Sequence, residues 1–166
     1  IGCHGCQISC KMENGVGLWA CRNEVKDIGP TGTYPDIQLY FLPAMCQHCD
    51  NPECVSVCPT GASYRREDGV VLVDHSKCIG CQYCVKACPY GVPQHIESIQ
   101  KTHKCDGCIQ LRANGEQPAC VADCIGRARH FGDLDDPDCE LVKEIAATHA
   151  APIAGDLTKS KVYYVR

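Results

Sequence analysis

Polar and apolar positions alternate through Asp36-Ile-Gln-Leu-Tyr-Phe-Leu42, which predicts a strand after turns between Pro30 and Pro35. Two further runs, Ala62-Ser-Tyr-Arg-Arg66 and Val70-Val-Leu-Val-Asp74, flank Glu67-Asp-Gly69 and predict a β-hairpin with glycine in its turn. Helical signals are short. One helix is expected to begin at Cys10-Lys-Met-Glu13 and stop near Gly15. Another opens with Asn51 as cap and Pro52 in the first turn, and closes at Cys58-Pro59. Residues 94–104 are polar and are expected to return the chain to the unit formed by its first part. The gap between Cys108 and Cys120 reads as a loop carrying Asn114-Gly115, after which Pro118 opens a helix bearing Cys120 and Cys124. Arg127-Ala-Arg-His-Phe-Gly132 reads as a strand. Asp135-Asp-Pro137 caps a helix of about two or three turns through Ala147, and Val162-Tyr-Tyr-Val165 reads as a last strand. No stretch is long and apolar enough to span a bilayer.

Composition changes this picture. Hydrophobic residues make up 45% of the 166 positions, but that share counts 17 cysteines. Without them it falls to about 35%, low for a globular chain. Such a core is thin unless something else holds it, and coupled metal binding and folding is expected, with the apo chain largely unfolded. The formal charge of -4 becomes more negative once anionic metal-sulfur cores are added, which argues against nucleic acid as a partner.

The cysteines are arranged in runs. Cys78, Cys81, Cys84 and Cys88, followed by Pro89, form C-x-x-C-x-x-C-x-x-x-C-P, the spacing by which bacterial ferredoxins hold cubane iron-sulfur clusters. Three thiolates lie on a tight loop in which Gly80 permits backbone conformations that a β-carbon blocks. In two-cluster ferredoxins the fourth cysteine ligates the neighbouring cluster, so one run implies a second. Cys46, Cys49, Cys54 and Cys58 with Pro59 supply it, and Cys105, Cys108, Cys120 and Cys124 form a looser C-x-x-C-x11-C-x-x-x-C. The chain opens on Ile1-Gly-Cys3-His-Gly-Cys6-Gln-Ile-Ser-Cys10, which matches Ile79 to Cys88 and lacks a first cysteine. The expectation is a cysteine immediately before Ile1 in the natural protein. With Ile1 as the start, one cluster would instead be three-iron or take an unusual ligand such as Cys21.

Structural zinc also uses paired C-x-x-C elements, but has no use for a C-x-x-C-x-x-C triplet followed by a fourth thiolate and proline. The chain is long for a disulfide scaffold, and repeated ferredoxin spacing is not what such scaffolds show. No C-x-x-C is followed directly by histidine, which excludes covalent haem in this stretch. Cys21 and Cys139 stand outside the runs and read as structural thiols, or as spare ligands. Lys11, Lys77, Lys86 and Lys104 lie beside or within runs, either as solvated surface or as charges that raise a cluster potential. His4 and His48, between ligands, read as hydrogen-bonding neighbours.

The fold class expected is α+β, with two ferredoxin-like modules related by a pseudo-twofold, stabilised by clusters and built from short helices and β-hairpins. Residues 46–93, with runs two and three, form one module. Residues 1–45 and 94–132, with runs one and four, form the other, with 22–45 as an insertion, and 133–166 are a C-terminal helix and strand extension.

Four runs in this order, followed by Gly132-Asp-Leu-Asp-Asp-Pro137, resemble the iron-sulfur subunit of the dimethyl sulfoxide reductase family over nearly the whole chain. Members serve polysulfide, thiosulfate, tetrathionate, nitrate, arsenate and formate enzymes beside a molybdenum or tungsten bis-pterin catalytic subunit. The resemblance implies four [4Fe-4S] clusters. Cys78, Cys81 and Cys84 with Cys58 would hold one, and Cys46, Cys49 and Cys54 with Cys88 its neighbour. Cys105, Cys108 and Cys120 with Cys10 would hold a third, leaving Cys3, Cys6, Cys124 and the missing residue for the fourth. Some nitrate reductase relatives replace a third-run cysteine by tryptophan and hold a three-iron cluster, whereas this chain keeps Cys81. The chain is thus expected to be no enzyme on its own. It would relay single electrons between a large catalytic subunit and a membrane quinone-reactive subunit or soluble partner, in a membrane-associated prokaryotic complex. The alternatives are the same module in a quinone complex without active pterin, and a free polyferredoxin.

Overall fold

In the computed structural model, which describes residues 1–153 and 157–165, short helices and three separate antiparallel hairpins are threaded between cysteine-bearing loops. The order is α1 (Gly5–Glu13), β1 (Asn23–Thr31), β2 (Gln38–Met45), α2 (Glu53–Ser56), β3 (Ser63–Arg65), β4 (Val71–Val73), α3 (Tyr83–Ala87), β5 (Gln94–Ile96), β6 (Lys101–His103), α4 (Ile109–Ala113), α5 (Ala119–Ala122) and α6 (Glu140–Thr148). β1 pairs with β2 from Asn23 opposite Met45 to Ile28 opposite Tyr40, with an irregularity before Thr31 meets Gln38. β3 pairs with β4, Tyr64 facing Leu72, and β5 with β6, His95 facing Thr102.

The hairpin over 63–73 follows the sequence expectation, and Gly69 supplies the left-handed turn residue with φ of 80°. Its apolar strand is central to the molecule: Val70, Val71 and Leu72 are buried, with Ala62 and Val92. The rest of the apolar interior is largely sulfur, since Cys10, Cys78, Cys105, Cys108 and Cys120 are buried with it. No helix among the described residues is long and apolar enough to cross a membrane.

Several elements depart from expectation. α1 begins at Gly5 rather than Cys10, because His4 turns left-handed and its carbonyl already accepts from Ile8 N–H. Pro52, not Asn51, is the N-cap of α2, and the Asn51 amide is spent on the Thr158 carbonyl. Residues 94–104 carry a hairpin, and the gap after Cys108 holds α4. Residues 127–132 are not a strand: Arg129 points inward and its guanidinium donates to Asn23 Oδ1 at 3.1 Å and contacts Met45 Sδ. α6 starts at Glu140, because Asp133 and Asp136 carboxylates cap the amides of Asp135 and Asp138 at 2.9 Å each and hold 133–138 in turns. Residues 162–165 reduce to one bridge between Tyr164 and Ala151.

The C-terminal segment instead clasps the second run. Asp50 and Asn51 amides donate to the carbonyls of Lys159 and Thr158, Lys161 N–H donates to Gln47 O, and Ser160 Oγ donates to the buried Gln47 Oε1 at 2.9 Å. Tyr164 OH donates to Pro43 O at 3.1 Å. α1 packs against α5, and α2 against α3.

Candidate metal centre

Each cysteine loop turns on a left-handed residue just before a thiol. Gly80 precedes Cys81 with φ of 70°, Gly107 precedes Cys108 at 71°, His48 precedes Cys49 at 42° and Gly2 precedes Cys3 at 63°. His48 occupies a conformation that non-glycine residues seldom take. It is held there by the hydrogen bond that Val71 N–H donates to its Nδ1 at 3.2 Å. In the second and third runs, three thiols of such a loop line one hollow.

Loops from different runs then meet. One cavity is lined by Cys78, Cys81 and Cys84 of the third run and Cys58 of the second, closed by Ala62, Val73 and Thr102. A second is lined by Cys46, Cys49 and Cys54 of the second run and Cys88 of the third, with Val71, Val92 and Lys104. In both, three thiols come from one loop and the fourth crosses from the other, through the α2–α3 contact.

The thiols sense this crowding. Burial pushes the Cys54 thiol up to about 12, and Cys46 and Cys88 add to the rise while Lys104 opposes it. Burial also raises Cys49 and Cys84, against hydrogen bonds to Thr158 and Thr102 respectively, while neighbouring thiols push both further up. At Cys58 burial pulls upward, but donors around the sulfur prevail and the thiol lies below its ordinary value. Ser63 N–H is one of them, at 3.3 Å.

Runs one and four converge through α1 and α5. Burial pushes the Cys10 thiol up to about 12, reinforced by Cys120 and Cys108. Asn14 Nδ2 reaches both Cys10 Sγ at 3.8 Å and Cys108 Sγ at 3.6 Å. Cys105 is raised by burial and then by Cys46, so it faces the second run as well as Cys120. Cys120 is raised by burial, against Arg129, and it senses Cys6. Cys3 is exposed, Cys6 and Cys124 half-buried, and Ala128 N–H donates to Cys124 Sγ at 3.4 Å. Ser9 Oγ ties α1 to α5 by donating to Ala119 O at 3.1 Å and to the Asp123 carboxylate.

The donor set fits iron-sulfur cubanes. Four-thiol hollows with a backbone amide donating to sulfur and threonine hydroxyls beside it suit an anionic, thiolate-ligated core. Among the described residues no three His, Cys, Asp or Glu side chains are gathered tightly enough to hold a single metal ion.

The residues outside the runs separate cleanly. Cys21 Sγ accepts from Gln7 Nε2 at 3.3 Å, and its amide donates to Gln94 Oε1. Cys139 is the N-cap of α6, packed so closely on Gly132 that a β-carbon there would lie 2.6 Å from its sulfur. Lys77 and Lys86 are exposed, and Lys11 clamps the carbonyls of Gly17 and Ala20. Lys104 is buried, 5% exposed. Arg129, which sequence reasoning placed on a strand, sits between Cys6 and Cys120. Burial works against its charge but the two thiols more than offset this, leaving its pKa raised. The signal in the sequence was one of two arginines, Arg127 and Arg129, soon after Cys124, which no pattern distinguishes from surface.

Comparison with known proteins agrees with this geometry. The 4Fe-4S dicluster domain matches residues 37–134. A putative dimethyl sulfoxide reductase iron-sulfur subunit of Halobacterium salinarum is 37% identical over 195 aligned positions, covering 99% of this chain and 74% of the relative. A tetrathionate reductase subunit of Salmonella typhimurium is 43% identical over 143 positions, 85% of this chain and 57% of that protein. A sulfite dehydrogenase subunit of Allochromatium vinosum is 43% identical over 164, 85% and 68%. The chain therefore spans between 57% and 74% of the length of these relatives.

Proposed function

The chain belongs to the iron-sulfur subunits of the dimethyl sulfoxide reductase family, built on the 4Fe-4S dicluster domain, and on that footing we propose that it relays single electrons through four [4Fe-4S] sites, between a molybdenum or tungsten bis-pterin catalytic subunit and a membrane quinone-reactive subunit or soluble redox partner. The observation that carries this is the crossing of thiols between loops: Cys58 lines the cavity of Cys78, Cys81 and Cys84, and Cys88 lines that of Cys46, Cys49 and Cys54.

Bound in such sites, clusters with every iron capped by thiolate accept and pass single electrons and offer no open position to a substrate. The chain's own residues bind, orient and insulate. Cys58, Cys78, Cys81 and Cys84 hold one site, Cys46, Cys49, Cys54 and Cys88 the next, and Cys10, Cys105, Cys108 and Cys120 a third. Cys3, Cys6 and Cys124 serve the fourth with one further ligand. Val71, Val73 and Ala62 keep water from the first two sites, while the Ser63 amide and Thr102 hydroxyl orient sulfur. Two ferredoxin-like modules, 46–93 and 1–45 with 94–132, related by a pseudo-twofold, belong to this reading, and the packing of α2 on α3 and of α1 on α5 supports it. On the same reading 133–166 are an extension, of which 154–156 and 166 lie outside the described residues, and residues 158–161 pin the second run. The chain is thus a non-catalytic subunit of a membrane-associated prokaryotic complex.

A partner subunit suits the surface. Trp19 is 99% exposed and Leu18 87%, on a loop whose carbonyls Lys11 already satisfies, and rigidly presented aromatics are typical anchors of subunit contacts.

Coulometric titration of the anaerobic, natively assembled chain tests the reading. About four one-electron equivalents per copy are expected from four sites. Two equivalents, or a multi-electron step, would refute it.

A further inference from the structure

Lys104 is a buried cation with no counter-ion among the described residues. The residue is 5% exposed, and none of the ion pairs among the described residues includes it. Its ammonium donates to two backbone carbonyls, Val71 O and Cys105 O, the latter at 3.1 Å. An ammonium has three N–H donors, so two carbonyls leave one without a partner among the described residues. Lys104 also lines the cavity of Cys46, Cys49, Cys54 and Cys88. It is fixed to the central strand β4 by one hydrogen bond and to the backbone of the fourth run's first cysteine by the other.

A charge taken out of water at several kcal/mol is kept where an opposite charge compensates it. Among the described residues no carboxylate does so. The remaining anion is the thiolate-ligated core itself, which carries net negative charge and gains one more on one-electron reduction, with no proton or bond exchanged. We propose that Lys104 is the built-in counter-charge of the cluster site formed by Cys46, Cys49, Cys54 and Cys88, and that it makes this site easier to reduce than it would be without it. The effect is local. Lys77 and Lys86 are exposed, where solvent screens them, and Lys11 is committed to the carbonyls of 17–20. The inference rests on the cluster reading and names which position along the relay is held at higher potential.

The test is potentiometric titration, followed by electron paramagnetic resonance, of the iron-loaded chain in its native assembly, comparing Lys104→Met and Lys104→Arg with the unmodified protein. Loss of the charge is expected to lower the reduced-to-oxidised ratio of one cluster at least tenfold at fixed potential, about 59 mV for one electron. The largest shift should belong to the site of Cys46, Cys49, Cys54 and Cys88, a smaller one to the site of Cys105, whose carbonyl the ammonium also meets, and Lys104→Arg should restore most of both. A fully loaded Lys104→Met with every midpoint unchanged would overturn the proposal, as would an equal shift of all clusters. If Lys104→Met fails to retain iron at this site, loading decides the matter. Retention in Lys104→Arg but not in Lys104→Gln supports a need for charge, and equal behaviour of the two contradicts it. Failure of the cluster reading itself would be visible separately, as iron missing from the unmodified protein.

Discussion

Replacing Gly80 by alanine tests how the third-run loop is built. Gly80 has φ of 70°, and a β-carbon there would lie 2.5 Å from the Gln100 carbonyl oxygen and 3.3 Å from the His95 ring. Two costs follow. The left-handed conformation costs an L-residue about 1–2 kcal/mol. The contact with Gln100 is with backbone, which cannot rotate away, so β5 and β6 must shift at a cost of about 1–3 kcal/mol. Gly91 isolates the first cost, since its φ is 63° and nothing lies within 4 Å of its would-be β-carbon. Anaerobic urea unfolding, followed by the visible iron–thiolate absorbance, should therefore show Gly91→Ala losing about 1–2 kcal/mol and Gly80→Ala about 2–5 kcal/mol. With a urea dependence of about 1–3 kcal/mol per molar, the two midpoints should differ by roughly 1 M. Equal midpoints would refute the reasoning, because they would mean that the loop does not press against the turn at Gln100.

Serine at Cys58 should disturb the same cluster signal as serine at Cys78, and serine at Cys88 the same signal as serine at Cys46; paramagnetic resonance of the four variants would contradict the crossing if Cys58 and Cys46 grouped together. Removing iron should unfold much of the chain, seen as loss of far-ultraviolet helical signal on chelation, because its interior is so largely sulfur; an apo chain with unchanged signal would contradict this. Burial keeps the Cys10 and Cys54 thiols protonated up to about 12, so ligation at neutral pH must displace those protons. Reconstitution should then acidify a weak buffer and load more completely as pH rises; loading that weakens with rising pH would be the wrong sign. Arg22 is anchored by Asp106 and by Asn14 Oδ1 at 2.9 Å, largely out of solvent, so Asp106→Asn, which leaves that cation short of its partner, should destabilise the loaded protein by about 3–5 kcal/mol on denaturation, and a loss below about 1 kcal/mol would place the pair at the surface.

The cysteine runs were legible because cluster ligation fixes both spacing and residue type. The hairpin over 63–73 was legible too, since Val70 to Val73 must face the interior while Glu67-Asp-Gly69 must turn. What escaped lacks an apolar signature. β1 carries Asn23, Glu24, Lys26 and Asp27 and pairs with an exposed β2, so it shows no sustained buried face, whereas the alternation over 36–42 did mark β2. The strand expected over 127–132 failed for the opposite reason. Arg129 and Phe131 look like alternating strand positions, yet the Arg129 side chain is drawn toward Asn23, Met45 and the thiols, and Phe131 lies under the Arg112 guanidinium, 5.0 Å from it. The clasp of 158–161 on the second run depends on backbone amides and on Gln47 and Ser160, which no spacing rule marks.

The most direct test of the central claim is the metal content of the natively purified complex, as iron, zinc, molybdenum and tungsten per copy of this chain. Four cubane sites predict about sixteen irons from this chain, beyond any held by its partner, together with one molybdenum or tungsten. Zinc in place of iron would contradict the cluster sites, and sixteen irons with neither molybdenum nor tungsten would contradict the assignment to a pterin enzyme.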